Sequence, residues 1–406
     1  MVKSNILIFD EQGFFYGSTQ KLLRQMAKIL AKEFNVFYLA CGSGNSEPEA
    51  RDLESAGVKL IINHYDFRQN REPYNLVVLR PSLSEIIKQN QIHCVYTTVF
   101  AHYQFPINSI PAGIPLILIS PFGHYASNGN VVKTYVSGRG NRGRIMSRGV
   151  KNVVCFFNPL TDYAPEILNK PPVGERVVFG RIGNSKDSSF DPIAIKAFKK
   201  LEELFGEKVK YIVVNPAPAW KEWAARLNVK NIEFRPTITE FNELSKFYGE
   251  IDVLAHVRKD GETVGIAIGE AMLAGNPILT HKSRFHNDHF DILDASYAKW
   301  CETGAAEKYF ENMKWMVEYK GQIREMGKLA RARALEIFSL EKQVPKILED
   351  FHEACRHYYH NSFFGKLKGY ARLYWENLKA MPFFAGKLLT YHFPGFYKFL
   401  RKLYYK

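Results

Sequence analysis

The chain has 406 residues, a formal net charge of +14, 46% hydrophobic residues and 24% charged residues. That length exceeds one ordinary core and predicts two domains, while the composition excludes a disordered chain. The excess of cations points to an anionic partner: a membrane surface, nucleic acid or a phosphorylated substrate.

The N-terminal MVKSNILIFDEQG has too short an apolar run for a secretory signal. No stretch reaches the roughly 18 to 20 apolar residues of a spanning helix. A cytoplasmic or peripheral location is the expectation. The cysteines Cys41, Cys94, Cys155, Cys301 and Cys355 are odd in number and scattered. Their spacing argues against a disulfide framework or a zinc site and favours a reducing compartment.

In chain order, NILIF reads as a strand and Ser18 to Phe34 as a helix, with Leu22, Leu23, Met26, Ile29 and Leu30 on one face. NVFYLAC, VKLII, IHCVYT, IPLILIS and NVVCFF continue as buried strands, each bounded by Gly, Pro or Asn. The Pro-rich stretch PEILNKPPVGE marks a join. Beyond it VVFG, VKYIVV, NIEF, IDVLAHV and PILTH are strands with helices between them. From Ala305 onward the pattern is helical. Strands alternating with helices predict parallel sheets covered on both faces.

SGRGNRG has Gly138, Gly140 and Gly143 at dinucleotide-fingerprint spacing, with KTYVS as a weak preceding strand. The density of Arg139, Arg142, Arg144 and Arg148 is unlike a pyrophosphate turn. We read it as a mobile basic loop, either solvated or facing a phosphorylated acceptor.

Two segments carry chemistry. In VVFGRIGNSKD, Arg181 and Lys186 stand at the carboxyl end of a parallel strand, where cations neutralise a diphosphate. In GETVGIAIGEAMLAGNP, a polar loop leads into a helix from about Gly265 to Ala274. Gly275 is placed for the left-handed conformation and Pro277 stops the helix. The first amides, near Val264 to Ala267, lack internal partners and suit phosphate oxygens. Glu262 and Glu270 are placed to clamp vicinal hydroxyls, one pair on a sugar and one on a ribose. The alternative is that the acids simply favour the helix dipole.

These segments resemble the retaining glycosyltransferases of family four, which have the GT-B fold. ETVGIAIGEAMLAGNP is similar to their two-glutamate signature, GRIGNSK to their Gly-Arg-Leu with a following Lys, and RALEIFSLEK to a Phe-Ser element closing the second domain. The resemblance runs from about Met1 to Asp350 and is strongest in the second half. It implies an α/β fold of two doubly wound Rossmann-like domains facing a cleft, with a helical basic-aromatic C-terminal tail. The expected limits are 1–165 for an acceptor domain, 166–350 for a nucleotide-sugar domain and 351–406 for the last helix and tail.

The resemblance also implies roles. Arg181 and Lys186 hold the donor diphosphate and stabilise the leaving group. Glu262 contacts the transferred sugar, Val264, Gly265 and Ile266 offer amides, and Glu270 holds the ribose. Where the family usually has a large residue this chain has Val264, and DEQGFFYGSTQK has the single Gly17 instead of the usual glycine pair. A first-domain histidine stands near the reacting carbon in the family. His124 is the first candidate for it and His102 the second, so the catalytic set is Glu262, His124, Arg181 and Lys186. No cofactor and no metal is expected, the nucleotide-diphosphate sugar being a co-substrate.

The segment from Ser362 to Lys406 has nine Lys or Arg, one acid and fourteen aromatics, and supplies +8 of the +14. Pro382 and Pro394 divide it into pieces too short to span a bilayer, but suited to an anionic interface. Its aromatics are too dense for base-stacking platforms, so nucleic acid is not an expected partner. The expected protein is a peripheral enzyme on the cytoplasmic face of a membrane. It would move a sugar from a nucleotide-diphosphate donor to a lipid-linked or cell-surface glycan with retention. The alternatives are an epimerase or inverting transferase of the same fold, or a non-catalytic sugar- or lipid-binding protein.

Overall fold

The computed structural model describes residues 3–11, 13–14, 18–41, 47–63, 79, 81–99, 107, 110–126, 130–163, 165–183, 185–238 and 240–360. The strands expected from NILIF to PILTH all form, and the chain divides into two units.

The first unit has β1 (Asn5–Asp10), β2 (Asn35–Cys41), β3 (Lys59–Asn63), β4 (Cys94–Thr98), β5 (Leu116–Ser120), β6 (Val131–Val136) and β7 (Val153–Cys155). All pair in parallel in the order β3-β2-β1-β4-β5-β6-β7. Apolar residues on both faces of β1, β4 and β5 are buried, as a sheet covered on two sides requires. The helix Ser18–Leu30 covers one face with Leu22, Leu23, Met26 and Leu30. It stops four residues before the expected Phe34, the chain passing through a turn into β2.

The second unit has β8 (Val177–Ile182), β9 (Val209–Val214), β10 (Ile232–Arg235), β11 (Val253–Ala255), β12 (Gly261–Glu262), β13 (Ile278–His281), β14 (His286–Asn287) and β15 (Ala298–Cys301). The order β10-β9-β8-β11-β13-β15 repeats the doubly wound plan, and β12 pairs separately with β14. In both sheets the strand order reverses beside the first strand, which places ligand crevices outside the carboxyl ends of β1 and β4 and of β8 and β11. The strand β15, AKWC, is not foreshadowed by an apolar run. Its place at the sheet edge leaves Lys299 and Trp300 partly exposed.

The unit boundaries differ from those expected at 165/166 and 350/351. Among the described residues the first unit ends at Phe156 and regains the chain over Val344 to His360. The reason lies in the helix Leu340–His360. Val344, Ile347, Leu348, Phe351, Ala354 and Cys355 recur at helical spacing and join the core of the first unit. Phe351 is fully buried between Phe34 and Tyr96, a burial that contributes about 2 to 3 kcal/mol.

SGRGNRG is also corrected: Arg139–Met146 is a helix. Asn141 and Ile145, four residues apart, are both fully buried. Asn141 donates to the Pro121 carbonyl at 3.3 Å. One anchored face is enough to order a segment whose other face is arginine-rich.

Candidate functional site

Arg181 is the next-to-last residue of β8, at the carboxyl end beside the switch point. It is only 2% exposed. Its guanidinium lies 5.0 Å from the Trp220 ring. Nε and Nη1 have no hydrogen-bond partner among the described residues. Burial draws its pKa down, with Tyr211 opposing, Arg258 adding to the fall and Glu262 opposing. A guanidinium does not give up its proton in a protein, so a cation stands here with donors unspent. Leaving such donors buried costs free energy that a bound anion recovers.

Glu262 is held from three sides. His256, fully buried just past β11, lies with Nε2 2.8 Å from Glu262 Oε1. Arg258 Nη1 lies 3.3 Å from the same oxygen. His289 Nδ1 is 3.1 Å from the Glu262 carbonyl. Burial alone would raise the carboxyl. The His256 hydrogen bond and the Arg258 charge outweigh it and bring it to about 2. Glu262 is therefore an anion across the working pH range.

That ionisation settles the imidazoles. Burial lowers the pKa of His256 against the pull of Glu262, and lowers His289 to about 4. Both rings are neutral at pH 7. His256 must donate Nε2–H to a carboxylate that can only accept, and His289 must donate Nδ1–H to a carbonyl. His256 Nδ1 and His289 Nε2 are then bare acceptors, buried and without partners among the described residues. Hydroxyl groups are the complement of bare acceptors. Among the described residues no group of three or more His, Cys, Asp or Glu is arranged to hold a metal ion.

Arg258 joins the loops that follow β8 and β11. Its guanidinium donates to Asp260 at 2.6 Å and to Ser189 Oγ at 3.2 Å. The Lys259 amide donates to the Ser189 carbonyl at 3.1 Å. Ser189 ends a short turn, Asp187–Ser189, that starts after exposed Lys186. Asp187 in turn accepts from the Ala219 amide at 3.0 Å, next to Trp220.

The helix after β12 runs Ile266–Leu273. Gly265 caps it with φ +75°, and the first ladder bonds, from Ile268 and Gly269, both go to the Gly265 carbonyl. The amides of Ile266 and Ala267 precede the ladder, as the first turn of a helix requires. A side chain at Gly265 would be strained by that φ. Gly275 has φ +72° past the helix end, as expected.

Glu270, one turn into this helix, is 8% exposed. The Tyr248 hydroxyl donates to it at 3.1 Å, with the Ala267 carbonyl 3.3 Å away as a competing acceptor. Tyr163 stands nearby: burial raises its hydroxyl, and the Glu270 charge raises it further.

No protein-family model matches the chain, and no curated protein matches it by sequence. Solved structures do match. HepE from Anabaena, in complex with UDP and glucose, is 15% identical, with a TM-score of 0.63, over 86% of this chain and 98% of that one. A glycosyltransferase from Rickettsia africae is 14% identical, with a TM-score of 0.65, over 89% of this chain and 100% of that one. TarM of S. aureus is 11% identical, with a TM-score of 0.65, over 87% and 99%. The fold is GT-B. At such identities the likeness concerns the fold alone.

Within this GT-B chain, Arg181 and Glu262 belong to one buried charge cluster of the second unit, completed by His256, Arg258 and His289. Glu270 belongs to a second group with Tyr248 and Tyr163. Val264 is 9% exposed and its side chain joins the core, which leaves its amide as its polar offering. Ile266 is half-buried at the helix start. His124 is exposed in the first unit, in the loop after β5, where its carbonyl accepts from Ser120 Oγ. Gly17, His102 and the tail from Ser362 to Lys406 lie outside the described residues.

The sequence reading missed His256, Arg258, Trp220 and His289. His256 and Arg258 had a local signal, since both follow β11 within six residues of Glu262. His289 is 27 residues beyond Glu262 and Trp220 39 beyond Arg181, distances at which no periodicity connects them.

Proposed function

We propose that the chain is a glycosyltransferase that takes a sugar from a nucleoside-diphosphate donor and transfers it to a glycan or lipid-linked acceptor, with retention of configuration. The observation that carries the reading is Arg181: a buried cation with unspent donors at the switch point of a Rossmann-like sheet, beside a Glu262 held ionised at neutral pH.

In this reading the bond from the anomeric carbon to the diphosphate oxygen breaks, and the diphosphate departs with the electron pair. Arg181, Lys186 and the amides of Val264, Gly265 and Ile266 receive its charge. That is preorganised electrostatic stabilisation, and it fills the role a metal ion would otherwise take. A bond forms from the anomeric carbon to an acceptor oxygen, whose proton passes to the departing diphosphate. Glu262 holds the sugar hydroxyls, with the bare nitrogens of His256 and His289 as further acceptors. Glu270 holds the ribose, its orientation set by Tyr248. His124 is the first-unit group assigned near the reacting carbon. The tail from Ser362 to Lys406 holds the enzyme on an anionic, cytoplasmic membrane face, next to its acceptor.

UDP- and GDP-sugars form the first test panel, because HepE is described in complex with UDP-glucose. Calorimetric titration should find one nucleotide sugar that binds, and slow donor hydrolysis should follow. Binding should vanish in Arg181→Ala. If no nucleotide sugar binds the wild-type chain, the proposal fails.

A further inference from the structure

No Asp or Glu stands between Glu85 and Asp162. Within that run, Arg142, Arg144, Arg148 and Lys151 are exposed on the helix Arg139–Met146 and the turn after it. Among the described residues none of the four meets a carboxylate. Several exposed cations of the second unit do pair: Lys246 with Glu243, Lys328 with Glu325 and Arg333 with Glu336.

Contacts gather this segment into one surface of the first unit. Arg142 Nε donates to the Val153 carbonyl of β7 at 3.0 Å. Arg144 Cδ stands 3.5 Å from where a Cβ on Gly123 would lie. The Arg148 guanidinium is 5.6 Å from the Tyr125 ring. Among these cations, large apolar side chains face outward: Met146 is 45% exposed, Phe122 43% and Val154 40%.

We infer that this face is a docking surface for an anionic lipid bilayer. Each Lys or Arg close to such a surface contributes about 1 kcal/mol. Apolar side chains among the cations bury into the headgroup boundary. A single-sign patch without apolar groups would suit an acidic glycan equally. Met146 and Val154 favour lipid, since they have nothing to offer a hydrated polyanion. Cations also guard sheet edges against pairing, but that use places them on the edge strand. β7 is the edge strand and carries only Val153, Val154 and Cys155. The inference needs neither the tail nor transferase activity.

The test uses the full chain with Met146→Cys carrying an environment-sensitive fluorophore. Of the native cysteines, Cys41, Cys94, Cys301 and Cys355 are buried, so half-buried Cys155 is replaced by Ser in the same background. Vesicles of phosphatidylcholine with phosphatidylglycerol should blue-shift the label, pure phosphatidylcholine should not, and high salt should reverse the shift. Arg142→Gln, Arg144→Gln and Arg148→Gln together should weaken the apparent affinity at least about tenfold. Vesicles that sediment the protein without moving the emission would place binding elsewhere and overturn the inference. So would the absence of any sedimentation, or a shift produced by dextran sulfate and not by vesicles.

Discussion

His256 donates Nε2–H to Oε1 of Glu262 across 2.8 Å, and Glu262 keeps its charge because of it. A neutral imidazole thus orients a carboxylate without neutralising it. His256→Gln retains a donor and His256→Leu does not. In His256→Leu the Glu262 carboxyl should titrate higher, and transfer should fall about tenfold or more, the worth of a hydrogen bond to a charged group. His256→Gln should recover much of that loss. Equal activity in both variants would remove the positioning role; a pH–rate profile of each supplies the second readout.

The same cluster makes the second unit acid-labile. His289 titrates at about 4 when folded and near 6.5 unfolded. The unfolded chain therefore binds more protons between those values, and stability falls as pH drops through that window. Glu262, at about 2 when folded, extends the loss below pH 4.5 or so. Between pH 7 and pH 5, His289 alone accounts for about 2 kcal/mol. His289→Asn keeps a donor for the Glu262 carbonyl and does not titrate. Thermal melts at the two pH values should show a smaller drop for that variant than for the wild type.

Arg181 separates stability from binding. Arg181→Met keeps much of the volume beside Trp220 and removes a buried charge whose donors are unspent. Such replacements are often neutral or stabilising. The melting temperature should stay level or rise, while stabilisation by added nucleotide sugar disappears. A large fall in melting temperature would mean that the charge serves the fold instead.

Glu270→Ala and Lys186→Ala should each abolish transfer and leave the circular dichroism spectrum unchanged. Tyr248→Phe removes one hydrogen bond from Glu270 and should weaken donor binding by about 1 kcal/mol, roughly fivefold. Wild-type transfer in both the Glu270 and Lys186 variants would dismiss the proposed donor site.

Removing Ser362 to Lys406 takes away +8 of charge and fourteen aromatics. Vesicle sedimentation should fall sharply, with a remainder that salt abolishes if the Arg142 to Lys151 surface also binds. Undiminished sedimentation would dismiss the tail as the anchor.

The sequence by itself determined the buried strands and the plan that repeats them, but not the edge strand β15 or the short pair β12 and β14. A buried parallel strand must be apolar on both faces, so NVFYLAC and VKYIVV announce themselves. Gly275 was legible for a similar local reason, since it needs a φ that other residues avoid. Arg181, Glu262 and Glu270 stood out as acids and bases at strand ends. Tertiary structure alone decided their state. The charge of Glu262 depends on His256 and Arg258 nearby in the chain and on His289 beyond it, and the strength of Arg181 on burial against Trp220; His289 and Trp220 are distant in the chain. The helix Leu340–His360 shows the same limit: its spacing announces an apolar stripe but not which core receives it. Only the packing of Phe351 between Phe34 and Tyr96 assigns it to the first unit. Periodicity reports which face is apolar, while charge state and partner are set by what that face meets.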